Sequence, residues 1–561
     1  MTRTTALFDS GRLCAALALI QAVALWGLHQ AVTSNNWSAS DPGVLVASYL
    51  VAFWVPPTLY LLWSHRQQAV LWWAVAALAA FLAFTGYQSF DQLSAPIKDA
   101  EIDEGQIIGF AAPVVILWLI FLPLLRSRLE SGRWRAPYEV LFRGTWRSCL
   151  TLAESILFTI LFWALLGLWS TLFNELLGNP FFRDLFSDPR FYYPATTLAF
   201  AAATQIIGTS DRLIDGVLDQ ILELLKWLLP LAGLIVIAFT LALLPRLPEL
   251  FGSGEKVISS WVLLALVAAT VLLINAAYRD GATEPGYTPF LRQALRLVPL
   301  FLTVVAATAL YSLVVRTTSL GLTPARYWGL VTAAFAVLYA AGYAVAALRG
   351  GAWLGAIKNV NFTVAILLLT TLAVSVTPLA DPTRWSISSQ LNQAIRSDST
   401  EVREGAMQYL RFDSGSQGRL ALETIATGRR ASDASIRAQA ASVLALTSRK
   451  REPKVDPGAT QERYSAWRNR LQIMPEGRSI PDGLEAALKE EFSFNASRLD
   501  SSGKPTTPLL FFVDLNEDGT DDCVLISGPL RGDPQIMRDY RSFVVIDGVW
   551  RRSSSSRPTD P

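Results

Sequence analysis

Along the first two thirds of the chain, apolar runs recur between short polar loops. A run of about 20 apolar residues, rising ~1.5 Å per residue, is long enough to cross a hydrocarbon core as a helix. A soluble core helix is usually shorter and keeps one polar face. Eleven spans are predicted on this basis: 13–32, 43–63, 70–87, 107–125, 150–173, 193–208, 224–244, 258–277, 295–315, 327–348 and 362–379. The sixth is short, contains Thr197, Thr204 and Gln205, and leads into an amphipathic stretch, 213–227. It reads either as a crossing or as a re-entrant or interfacial segment. The first span follows Arg3 and Arg12 and exceeds the 7–15-residue core of a secretory signal, so it reads as an uncleaved helix.

After Pro382 the pattern changes. Segments 390–395, 401–409, 419–427 and 434–446 keep helical periodicity but are short and amphipathic, with Asp, Ser and Gly at the breaks. A polar linker, 448–461, follows. Beyond it, 484–492 reads as a helix and 509–514, 523–527, 542–546 and 549–552 read as strands, the last two flanking the hairpin pair Asp547-Gly548. The tail, 553–561, has a disordered composition. The expected architecture is an all-α polytopic membrane helical bundle of about eleven transmembrane helices (1–381), a soluble short-helix segment (382–450) and a soluble α+β C-terminal domain (451–561).

Composition agrees. The chain is 52% hydrophobic and 17% charged, against about 25% charged in an ordinary soluble domain, and its mean hydropathy is +0.34. A net charge of +2 gives no case for nucleic acid as a partner. Cys14, Cys149 and Cys523 lie far apart with no CxxC spacing, which argues against a disulfide framework or structural zinc. His29 and His65 are the only histidines, too few for metal-histidine or histidine-base chemistry. Lys/Arg bias sets orientation. The 126–147 loop holds Arg126, Arg128, Arg133, Arg135, Arg143 and Arg147, whereas 88–106 holds Asp91, Asp99, Glu101, Asp103 and Glu104 against Lys98. The arginine loop is therefore expected in the cytoplasm, with the N-terminus on the same side and, after eleven crossings, the C-terminal domain outside a bacterial inner membrane.

The sharpest chemical motif is Asp514-Leu-Asn516-Glu-Asp518-Gly519-Thr520-Asp521-Asp522. Oxygen side chains at positions one, three and five, Gly at six and a carbonyl at seven match the start of a calcium loop. The candidate ligands are Asp514, Asn516, Asp518, the Thr520 carbonyl and Asp522. Position twelve is Leu525, where an EF-hand needs Glu, and the flanks read as strands. Two readings stand: a strand-bracketed calcium loop, or an acidic hairpin turn without metal.

A second motif, Arg316-Thr-Thr-Ser-Leu-Gly321-Leu-Thr323-Pro324-Ala-Arg326-Tyr327-Trp328, joins two apolar helices. Thr323 is a suitable N-cap and Pro324 a suitable first helical residue. Arg316 and Arg326 near one membrane face suggest an anionic-lipid or other anionic-ligand site, or simply snorkelling arginines on a capped hairpin. The phrase Ser319-Leu-Gly-Leu-Thr-Pro-Ala-Arg-Tyr-Trp-Gly-Leu resembles the signature of bacterial membrane proteins grouped as domain of unknown function 4153. Tyr409-Leu-Arg-Phe-Asp-Ser-Gly-Ser-Gln-Gly-Arg-Leu-Ala-Leu is similar to a segment after the last helix in many of them. The resemblance covers roughly 150–427 and implies a many-helix bacterial membrane protein, with no activity or catalytic residue attached.

Polar groups inside or at the edges of the spans are costly in lipid and are default candidates for function. These are Glu154, placed one turn into the fifth span after Arg147, with Gln21, Gln205, Asn275 and Asn361. The leading expectation is a non-enzymatic envelope anchor or sensor, in contact with the bilayer and carrying an external domain for an envelope-protein partner. The alternatives are a transporter or lipid-handling protein using a cavity near Glu154, Gln205 or Arg316, and a membrane enzyme acting on lipid or glycan. A mid-membrane polar cavity favours transport or lipid handling; a closed apolar bundle with a groove on the soluble domain favours the anchor.

Overall fold

The computed structural model describes residues 3–34, 42–89, 104–178, 180–208, 211–246, 259–281, 285–349, 353–431, 433–446, 464–475, 477–481, 483–489, 492, 508–514, 521–527, 539–546 and 549–552. Two compact units, Met1–Leu446 and Thr447–Pro561, make up the chain. The first is helical: α1 (Arg3–Thr33), α2 (Pro42–Leu61), α3 (Ala69–Ser89), α4 (Glu104–Ser131), α5 (Tyr138–Leu177), α6 (Phe181–Ser187), α7 (Pro189–Gly208) and α8 (Asp211–Leu243). There follow α9 (Ser260–Tyr278), α10 (Pro289–Leu320), α11 (Pro324–Leu348), α12 (Ile357–Ser375), α13 (Pro382–Arg396), α14 (Thr400–Phe412), α15 (Gly415–Ala426) and α16 (Ala434–Leu444). Among the described residues 10 helices are long and apolar enough to cross a membrane, so the chain is a multi-pass integral membrane protein. They coincide with every predicted span except the sixth.

That sixth segment is α7, a full 20-residue helix too polar to count with the others. It runs antiparallel to α1: His29, late in α1, meets Tyr192 and Tyr193 early in α7, while Ala18 and Ala201 share a core with Tyr60. Its buried face is Thr197, Ala199, Ala201, Ala203 and Thr204, small side chains that let helices approach closely without much hydrophobicity. Both threonine hydroxyls donate to carbonyls of α7 itself. The amphipathic stretch after it is the first half of α8, continuous with the seventh span. A second difference concerns α5. It begins at Tyr138, twelve residues before the predicted span, because Arg143 and Arg147 extend the helix past the apolar run that hydropathy detects.

Side-chain contacts align the helix ends. Arg126 on α4 donates to the Leu61 carbonyl at the end of α2, and Gln68 to the Leu129 carbonyl. At the same end Arg135 lies over the Phe362 ring, Arg143 pairs with Asp280, Arg147 with Asp215, and Arg279 with Asp219 and Glu223. Arg296 there donates to the Ala347 and Arg349 carbonyls. The arginines of the 126–147 loop thus share one end of the bundle with Arg279, Arg292, Arg296, Arg349 and Lys358, whose loops are far away in sequence. The two largest cores of the bundle among the described residues are one built on α1–α4 and another on α8–α12.

At the opposite end the α10–α11 hairpin docks on α13. Gln390 donates to the Leu320 and Leu322 carbonyls, Gln393 to the Thr318 carbonyl, and Ser389 accepts from the Leu322 amide. Thr323 caps α11 through the Arg326 amide, with Pro324 first in the helix, as the sequence predicts. Helices α13–α16 close on a small core of Leu391, Met407, Leu410, Leu422 and Ile425. Tyr409, buried in this segment, has its phenol pushed up to about 12 by burial.

In the second unit, residues 464–468 and 483–489 are helical, and five strands form one sheet in the order β1 (Gln472–Met474), β2 (Leu509–Val513), β3 (Asp522–Ser527), β4 (Asp539–Ile546) and β5 (Val549–Arg552). β1 joins β2 in parallel, and each later pair is antiparallel. The three-residue β1 is the one strand the alternation pattern does not announce. Trp467, Leu488, Phe492, Leu510, Cys523 and Phe543 form the core, and burial pushes the Cys523 thiol up to about 12.

Gly321 is the tightest point of the hairpin. Its φ is +73°, and a Cβ there would stand 2.7 Å from the Gln390 amide nitrogen. Gly405, in mid-α14, has open space around it. Gly321→Ala is expected to destabilise the protein by about 1–3 kcal/mol, the cost of an extended, positive-φ backbone for a residue with a Cβ. Gly405→Ala is expected to stabilise it by about 0.5–1 kcal/mol. Thermal melting of the detergent-purified variants measures both.

Candidate functional site

Two amides predicted as isolated polar groups meet. Asn275 of α9 and Asn361 of α12 are 86 positions apart, and Asn361 Nδ2 donates to Asn275 Oδ1 at 2.6 Å. Asn275 Nδ2 donates to the Tyr343 hydroxyl of α11 at 2.8 Å, and Tyr343 donates back to Asn361 Oδ1. The three residues thus form a closed cycle. Asn361 also donates to the Tyr138 hydroxyl of α5 at 2.8 Å, and Asn275 to the Val271 carbonyl at 2.9 Å. All four amide N–H bonds therefore have acceptors. Tyr343 is fully buried. In hydrocarbon a lost partner is not replaced by water, so the cluster ties α5, α9, α11 and α12 together. Tyr138 and Tyr343 were not candidates, because a tyrosine near a span end ordinarily signals the interfacial belt.

Two cavities adjoin this cluster, and a third adjoins one of them. The first, of about 870 Å³, lies between the start of α9, the end of α10 and the start of α11; Arg316, Ser259, Trp261 and Trp328 line it. A second, of about 700 Å³, lies between α4, α9, α11 and α12, where the two cores meet. It shares Leu264, Ala268, Trp328 and Thr332 with the first. The third, of about 220 Å³, reaches Tyr138, Thr145 and Trp146 of α5 and shares Asn275, Tyr339 and Asn361 with the second. Shared lining residues place the three in a row along α9, with the amide cluster standing between the second and the third. Small side chains make the depression: Ala265 and Ala268 on α9, Ala325 and Gly329 on α11. Among the described residues no Asp or Glu lines any of the three.

The other predicted residues divide. Arg316 is exposed, lines the first cavity, and its guanidinium has no hydrogen bond or ion pair among the described residues. Arg326 does not join it. Its Nη1 donates to the Leu320 carbonyl at 2.9 Å and also to the Gly321 carbonyl, capping the end of α10. Gln205 donates to the Tyr60 carbonyl, and Tyr60 donates to Gln21, so these two glutamines fasten α7 and α1 to α2. Glu154 corrects the expectation: α5 starts at Tyr138, so Glu154 lies about 24 Å along the helix at ~1.5 Å per residue. Arg147 pairs with Asp215 rather than with it, and Glu154 lines none of the three cavities.

In the second unit Asp514 directly follows β2 and Asp522 opens β3, with Val513 opposite Asp522 in the ladder. The acidic loop therefore connects an antiparallel pair, as its flanks predict. Asn516, Asp518 and Thr520 lie outside the described residues. Beside the loop Arg478 pairs with Asp521 at 2.6 Å and lies 4.4 Å over the Phe512 ring.

No family model, curated protein or solved structure matches the chain.

Replacing one amide of the cycle strands its partners; replacing both removes the demand. Asn361→Leu and Asn275→Leu are each expected to cost about 1–3 kcal/mol. The double variant should cost less than their sum by at least about 0.5 kcal/mol. Chemical unfolding of the four proteins in mixed micelles measures the cycle, and strict additivity would mean that the amides act independently.

Proposed function

We propose that this is a lipid-handling protein of a bacterial inner membrane, holding an apolar chain drawn from the bilayer in the groove between α4, α9, α11 and α12. The observation that carries this reading is the row of three cavities with shared lining residues, mostly apolar, with Arg316 and serines at one end and the amide cluster toward the other. A closed apolar bundle, as an anchor needs, would have no such row. Binding sites between helices of a bundle, lined by apolar residues with a few placed polar groups, are the common form of a small-molecule site. Among the described residues the titratable side chains lining the groove are Arg316, Tyr138 and Tyr339, and the reading is one of binding or transfer.

Orientation follows from the basic end. Arg126–Arg147 together with Arg279, Arg292, Arg296, Arg349 and Lys358 faces the cytoplasm by the positive-inside rule. With α7 counted as a crossing, the N-terminus is inside and the C-terminal unit outside, where it meets envelope partners.

Ala268 is exposed on the groove wall. Ala268→Trp is expected to fill the groove, leave the melting temperature within a few degrees of wild type, and reduce phospholipid retained through purification severalfold. Quantitative lipid extraction checks this. Equal retention by the variant would remove the groove as the binding site.

We also propose that the β2–β3 loop binds calcium weakly, with a dissociation constant of roughly 0.1–1 mM, as external modules do. Support comes from its strand-bracketed position and from carboxylates at both ends of the loop. Calcium in the millimolar range should slow amide hydrogen exchange across 509–527 in the full-length protein, and Asp518→Ala should abolish the effect. Identical exchange with calcium and with chelator would leave an ordinary acidic turn.

A further inference from the structure

The groove has a chemical polarity, and it bears on the head group. Arg316 sits one turn before the end of α10, where an arginine reaches the interface of the bilayer. Around it the first cavity presents the hydroxyls of Ser259, Ser260 and Ser319 and the indoles of Trp261 and Trp328. Its neighbour Arg326 is committed to the carbonyls that end α10, so the negative end of that helix is answered from within. Among the described residues Arg316 has no such commitment, and none that lines the three cavities is a carboxylate. The amino ends of α9 and α11 open on the same cavity and add partial positive charge. Below it the groove is apolar as far as Asn275 and Asn361. From Ser260 to Asn275 along α9 is about 22 Å at ~1.5 Å per residue. One leaflet of hydrocarbon is about 15 Å deep, half of a ~30 Å core. An acyl chain entering at Arg316 therefore fits above the amide cluster.

The geometry points to a phosphate-bearing anionic lipid as the occupant, its head group at Arg316 and one acyl chain along α9 and α11 toward Asn275 and Asn361. This rests on the groove being a lipid site and adds the head-group class and the direction of the chain. On the orientation proposed above, the lipid comes from the outer leaflet of the inner membrane.

The test uses the full-length protein in dodecyl maltoside with two probes, phosphatidylglycerol and phosphatidylcholine, each carrying a photoactivatable diazirine in the acyl chain. The readout is cross-linking within 260–268 of α9 and 324–332 of α11, the halves remote from Arg279 and Arg349, which separates this site from anionic lipid gathered at the arginine-rich end. Phosphatidylglycerol should label these helices about fivefold more than phosphatidylcholine, the ordinary worth of one basic side chain against an anionic lipid. Arg316→Gln should bring the two probes level, and Arg316→Lys should keep most of the preference. Ala268→Trp should remove labelling by both. Should Arg316→Gln not reach the membrane, the wild-type preference must still shrink as salt is raised, since the pair is solvent-exposed. Equal labelling of the wild type by the two probes, or an undiminished preference in Arg316→Gln, overturns the head-group assignment while leaving the groove intact. Wild-type α9 and α11 labelled by neither probe overturns the groove itself. A preference abolished by inorganic phosphate would assign Arg316 to a free anion and likewise overturn the lipid.

Discussion

Hydrocarbon offers no water to a polar group, so every amide, hydroxyl and helix end within the bundle must find its partner in the protein. This constraint accounts for most of the interhelical geometry. The threonines of α7 bond to their own helix, Gln21 and Gln205 converge on Tyr60, and Asn275, Asn361 and Tyr343 close a cycle. Arg326 and Gln390 together satisfy the carbonyls where α10 turns into α11. Because lipid competes with side chains for apolar contact, these polar links give the bundle specificity that hydrophobic burial cannot.

The same constraint makes the exceptions informative. Arg316 answers no group among the described residues, and the small side chains below it leave space instead of packing. The space lies where the α1–α4 and α8–α12 cores meet, and the amide cycle crosses it as a floor. A groove with a cationic mouth, apolar walls and a polar floor is complementary to an amphiphile. The bundle and the reading of it as lipid-handling both rest on where polar groups are paired and on Arg316 at the mouth of the first cavity.

Much of this was legible in the sequence, and the parts that were not have physical reasons. Ten spans follow from hydropathy because a single helix must meet the bilayer requirement by itself. The limits of α5 do not, since Arg143 and Arg147 continue the helix beyond the apolar run. α7 falls short in hydropathy because its alanines and threonines work by close approach rather than by apolar area. Asn275 and Asn361 stand out as polar residues in spans, yet nothing local says that they meet, and Tyr138 and Tyr343 carry no signal separate from interfacial tyrosines. Gly321, Thr323 and Pro324 announce the hairpin through turn and cap chemistry, whereas its docking on Gln390 and Gln393 is tertiary and leaves no mark in either segment.

The central claim is that the space between α9 and α11 belongs to a lipid chain. The most direct measurement is an electron cryo-microscopy map of the full-length protein in nanodiscs of bacterial phospholipid. The account predicts continuous, chain-shaped density from the Arg316 guanidinium along Ala268 toward Asn275 and Asn361. A map in which α9 and α11 close against each other, or in which protein side chains fill the space, would contradict it.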